Sequence, residues 1–188
     1  MHSSLAGMTA RQPALGRDVN GIRAENRALI MEQLSDARRV REFSGPWDVE
    51  ATWLTGFKSK ATVRGHEIPF DQPGDIAADD TAPTPHEHLL ASIAGCLIAG
   101  VVMHATVQNV RLTSLVVHVS GTFDNVLRWA GIESAGNPGY RGIDLRATMS
   151  GEADDDTLRD IWDRALAGSP VAQTINRETP VITIVELA

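Results

Sequence analysis

Chemistry in this 188-residue chain rests with one cysteine, six histidines and a scatter of lysines and carboxylates. Cys96 stands in the middle of the most apolar stretch, residues 89–105. A thiolate is both a nucleophile and a soft metal ligand, so attack on an electrophile, metal binding and disulfide formation are the chemistries to weigh. A single cysteine excludes an internal disulfide. Spacing disfavours a metal. His86, His88, Cys96 and His104 share one predicted helix, but residues two apart point to different sides. His86 also lies about 15 Å along the axis from Cys96 at 1.5 Å per residue, so one ion cannot join them. His66 and His118 fall on strand-like segments whose spacing predicts no site, and no metal or other cofactor is expected. Cys96 shares a helical face with Leu89, Ile93, Gly100 and Met103, and on spacing alone it reads first as a small packed hydrophobe.

The helix that carries this cysteine has a well-marked start. Thr84-Pro85-His86-Glu87 supplies a capping hydroxyl, a proline at the first helical position and a glutamate three residues past the cap. Upstream, Val49, Ala51 and Trp53 alternate with polar residues. A second alternating run follows over residues 61–64, Gly56 marks the hairpin between them, and Ile68 and Phe70 mark a third short strand. Residues 74–83 read as an acidic loop leading into the helix. Downstream, Leu115, Val117 and Val119 predict one strand, and Ile143, Leu145, Ala147 and Met149 another, with a Gly-rich connection over residues 125–140. A second helix is expected over residues 153–166, with Asp154, Asp155 and Asp156 at its positive end and Gly168 beyond it. Residues 181–187 read as a closing β-strand. At the other end, Ile22, Leu29, Ile30, Leu34 and Ala37 share one helical face, which predicts an accessory helix before the domain.

This order implies an α+β fold, a largely antiparallel sheet packed on two helices, without the regular βαβ alternation of a parallel sheet. The central helix is apolar on nearly every side, more than a single layer can cover, which points to a partner chain. A net charge of −7 argues against nucleic-acid or anionic membrane surfaces. Residues 89–105 are broken by Gly95, Gly100 and His104 and fall short of the roughly 18 to 20 residues a bilayer demands, so no membrane span is expected. The first ten residues lack a charged n-region and a long apolar run, and a lone cysteine suits a reducing compartment, so a cytoplasmic location is expected.

The run Pro85-His86-Glu87-His88-Leu89-Leu90-Ala91-Ser92-Ile93-Ala94-Gly95-Cys96, preceded by Arg64-Gly65-His66-Glu67 and Asp71-Gln72-Pro73, resembles the OsmC/Ohr family of thiol proteins. The resemblance runs from about Asp48 onward and includes Ser169-Pro170-Val171, which divides the chain into an N-terminal helical extension, residues 1–41, and an OsmC-like domain, residues 42–188. It implies an intertwined homodimer whose reactive centre is Cys96, acting on organic hydroperoxides in oxidative-stress defence. It also marks three departures. Ser169 stands where the family's peroxidases carry a resolving cysteine, so reduction must come from an external thiol in a one-cysteine cycle. Ten residues before the reactive cysteine, where the family has a glutamate, this chain has His86, with Glu87 next to it. Near the first hairpin Phe57 takes the place of the family's arginine, with Lys58 adjacent. His86, Glu87, Lys58 and Ser169 are therefore the candidate neighbours of Cys96. Glu87 reads equally as a capping-box acid, Ser169 as the N-cap of a short helical turn, and Lys58 as a solvated hairpin charge. The alternative function is a non-redox dimer that binds an apolar small molecule at its interface.

Overall fold

The computed structural model describes residues 17–187. The first sixteen positions of the expected extension lie outside the described residues, as does Ala188. Two short helices come first, α1 (Ala24–Ser35) and α2 (Ala37–Phe43). The one continuous helix expected here is split at Asp36, whose side chain accepts the backbone N–H groups of Arg38 and Arg39 and so caps a new helix. The segment is fastened to the domain by Asn20, in the left-handed region at φ 54°. Its amide donates to Thr106 Oγ1 and to the Val110 carbonyl, and its Oδ1 accepts the Leu112 N–H at 2.8 Å.

Next comes an antiparallel meander of β1 (Glu50–Thr55), β2 (Lys58–Val63) and β3 (His66–Phe70), in the order β1-β2-β3. Gly56 turns the first hairpin, and Arg64-Gly65, both at positive φ, turn the second, so Arg64 belongs to the turn rather than to the strand run predicted through it. A 3₁₀ turn (Gly74–Ile76) leads to the central helix α3 (Pro85–Val107), and then to a long hairpin, β4 (Leu112–Phe123) with β5 (Tyr140–Gly151). The Gly-rich connection between those strands carries a short helix, α4 (Val126–Trp129). Helices α5 (Asp155–Ala167) and α6 (Pro170–Ile175) follow.

The core forms where α3 meets α5 and the β4-β5 hairpin. Ile93, Leu97, Val101 and Ala105 bury one stripe of α3, and Leu158, Ile161 and Ala165 bury the facing stripe of α5. The alternation predicted for both long strands holds: Leu115, Val117 and Val119, and Ile143, Leu145, Ala147 and Met149, are the half-buried positions. Three expectations change. Rather than one sheet there are two among the described residues, of three and two strands. Residues 181–187 form no strand and pair with nothing among the described residues, because a strand exists only where an edge receives it. The central helix runs 23 residues, since its cap sets the start at Pro85, and by length and composition alone it is long and apolar enough to cross a membrane. Its Val101 and Ala105 pack into the core against Leu158, Ile161 and Ala165 of α5.

Candidate functional site

The site is built by two helices that approach closely. Gly100 sits one turn beyond Cys96 on α3, and a Cβ placed on it would meet the Ala165 Cβ at 3.2 Å. Any side chain there would push α5 back by a few tenths of an ångström. Ala165 in turn lies one turn before Ser169, so the close approach carries the end of α5 to the thiol. Ser169 is 3% exposed, and its Oγ lies 3.2 Å from Cys96 Sγ. The same oxygen accepts the Ala172 N–H as the N-cap of α6, with Pro170 at the first helical position. With its acceptor side engaged, the Ser169 hydroxyl directs its proton at the sulfur. Cys96 itself is half-buried and in no disulfide.

Of the sequence-predicted residues, the structure brings Ser169 to Cys96 and places the others elsewhere within the chain. Glu87 closes the capping box: its carboxylate accepts the Thr84 N–H and hydroxyl, and Thr84 Oγ1 accepts the Glu87 N–H. The Thr84 backbone and hydroxyl donors hold the Glu87 carboxyl below its ordinary range. Nine residues separate it from Cys96, about 13 Å along the helix. His86, about 15 Å away on the same count, has its ring edge-on to Phe123, centroids 5.0 Å apart. Lys58 pairs with Asp79 at 2.7 Å, and that hydrogen bond raises its pKa. Phe57 is exposed at the tip of the first hairpin. Among the described residues no cluster of three metal-ligating side chains occurs.

Two positioning residues had been given no role from the sequence. Asp71 is buried, and its carboxylate accepts the Thr81 N–H and hydroxyl and the Gln72 N–H, which folds the acidic loop back against the start of α3. The Thr81 backbone donor, then its hydroxyl, lower its pKa, against the opposing effect of burial. Tyr140 stacks on Phe123 and donates its hydroxyl to the His86 carbonyl at 3.2 Å. Asp71 carries a local signal as a turn residue before Gln72-Pro73. Tyr140 carries none, because its partner is 54 residues away.

The family model described as OsmC-like protein matches residues 78–184. Among solved structures, the OsmC-like protein of Mycoplasma pneumoniae superposes with a TM-score of 0.60 at 19% identity, covering 70% of this chain and 88% of that one. An organic hydroperoxide resistance protein OsmC from Legionella pneumophila gives 0.52 at 16% identity, over 70% and 90% of the two chains. One from Elizabethkingia anophelis, with thiocyanate bound, gives 0.50 at 15%, over 69% and 88%. Identities this low establish the shared fold, antiparallel strands with helices, and nothing finer. No curated protein matches the chain in sequence.

Proposed function

The chain belongs to the OsmC-like protein family, and on that premise we propose that it is a cytoplasmic, homodimeric thiol protein that reduces organic hydroperoxides through Cys96. The observation that carries the reading is the buried Ser169 hydroxyl, 3.2 Å from the Cys96 sulfur, with its acceptor side held by Ala172. A hydroxyl fixed in this way donates to the sulfur and holds it in place. In the reaction the thiolate attacks the distal peroxide oxygen, the O–O bond breaks, and the alkoxide leaves and takes up a proton as alcohol. Cys96 is left as sulfenic acid. Ser169 cannot form a disulfide with it. An external thiol therefore condenses with the sulfenic acid, releasing water. A second external thiol then reduces the mixed disulfide and restores Cys96.

The dimer is supported by surface. Among the described residues twenty-five large hydrophobic side chains stand exposed, against twelve buried hydrophobic residues. Every residue of β1 is exposed, and residues 181–187 present five apolar side chains at 79–93% exposure. Exposed apolar surface of this kind supports the dimer reading. The reading without redox chemistry, an apolar ligand at the dimer interface, draws support from Glu87 and Lys58, whose carboxylate and ammonium groups are already committed to Thr84 and Asp79.

The two are separated by a stoichiometric pulse of cumene hydroperoxide followed by dimedone and mass spectrometry. The peroxidase reading requires a dimedone adduct at Cys96 forming at least tenfold faster than in the urea-unfolded chain. Equal rates would leave only the ligand-binding reading.

A further inference from the structure

Helix α2 stands exposed along its whole length, and none of its residues is buried. Both ends of the segment that carries it are nevertheless pinned to their own chain. Asn20 and Arg27 hold its start to the end of α3 and the start of β4, through Thr106, Val110 and Leu112. At its other end Trp47 donates its indole N–H to the Phe43 carbonyl at 3.0 Å and lies beneath the Arg64 guanidinium, 5.6 Å from the ring centroid. A helix held from both sides and left uncovered is preorganised for a partner.

What α2 offers is a mixed surface. Val40 and Phe43 are apolar and exposed, and they are set among Arg38, Arg39 and Arg41, with Glu42 the one acid of the helix. Arg38 and Arg39 share Glu42, at 3.4 and 2.9 Å, and Arg41 makes no ion pair among the described residues. In a chain of net charge −7 this cationic stretch is the exception.

The complementary surface is the groove between β5 and α5, about 430 Å³ in volume and lined by Leu145, Met149, Leu158, Trp162 and Asp155, among others. Its floor is apolar and its rim acidic. Asp155 makes no ion pair among the described residues, and its neighbour Asp156 engages Arg159, the cation of the groove, at 3.2 Å. Residues 181–187, the other uncovered apolar segment, carry Glu186 and no basic residue, so an acidic rim favours α2 over them.

We propose that α2 of one chain docks in the β5-α5 groove of a second copy, with Phe43 on the apolar floor and the arginines against Asp155 and Asp156. Two-fold symmetry makes the contact twice, since each chain carries both the helix and the groove. The inference rests on the homodimer proposed above and adds to it the segment and the surface that join.

The test is fluorescence-detected sedimentation of the full chain from nanomolar to micromolar concentration, with two charge-reversed variants. Arg38→Glu with Arg41→Glu reverses the helix, and Asp155→Lys with Asp156→Lys reverses the groove. Each double variant alone opposes like charges in both contacts and should dimerise at least about tenfold more weakly than the wild type. Mixed one to one, the two should recover to within about threefold of the wild type. In the mixed dimer the introduced glutamates face the introduced lysines at one contact, and native arginines face native aspartates at the other. Wild-type affinity in either double variant overturns the proposal. So does a mixture that fails to recover, which assigns the losses to damage within each chain. With a dimeric wild type, either result leaves the homodimer reading standing, whereas a monomeric wild type removes both.

Discussion

Ser169 decides what Cys96 can become. A hydroxyl donates to the sulfur but cannot capture the sulfenic acid, so under excess hydroperoxide Cys96 should advance to sulfinic acid, read as a two-oxygen mass gain on the peptide. Ser169→Cys should reverse that outcome. The two side-chain atoms already lie 3.2 Å apart, so one equivalent of hydroperoxide should give an internal disulfide and suppress the two-oxygen product. Continued accumulation of sulfinic acid in Ser169→Cys would mean the geometry does not permit resolution. A different side chain governs the response to acid. Asp71 has a folded pKa below its unfolded value, about 3.9, chiefly through the Thr81 N–H. The stability it contributes is fully present above that unfolded value and is lost as pH falls through the folded one. Thermal melts between pH 6 and 2 should therefore decline less steeply for Asp71→Asn than for the wild type. Glu87 and Asp154, whose pKa values are lowered in the same direction, keep part of the slope in both. The partnership of Cys96 with Ser169 was not legible from spacing, since 73 residues separate them; only the resemblance placed them together.

Helix α3 was the element most readable in advance, because a capping box is a local device whose donors and acceptors all lie within four residues. The long strands were readable for a similar reason: period two survives wherever one face is half-buried. Gly100 is crowded by Ala165, whereas Gly95, the glycine on the other side of Cys96, has open space around its missing Cβ within the single chain. The difference is that Gly100 faces α5 and Gly95 does not. Gly100→Leu should therefore cost about 1 to 3 kcal/mol through overpacking, measured by urea unfolding, and should also separate Ser169 from the thiol. A melt unchanged by this substitution would contradict the close helix contact. The failure at residues 181–187 has another origin: strand propensity is written in the sequence, but the edge that accepts the strand is not.

On the scale of the whole molecule, the apolar surface left by one chain predicts a dimer that persists at micromolar concentration in sedimentation. Its interface should exceed the roughly 2,000 Å² at which obligate dimers begin. A stably folded monomer there would remove the dimer from the proposal. Deleting residues 181–187, most of whose side chains are apolar and exposed, should weaken association while leaving the α3-α5 core folded. The β1-β2-β3 sheet adds a directional constraint. Its β3 edge contains Pro69, which has no N–H to give, and whose carbonyl is occupied by His88 Nε2 at 3.1 Å. The opposite edge, β1, has no proline and no covering element among the described residues. An edge closed on one side and open on the other can accept one added strand but cannot pass the ladder onward. Growth by edge pairing at this sheet therefore ends after a single addition.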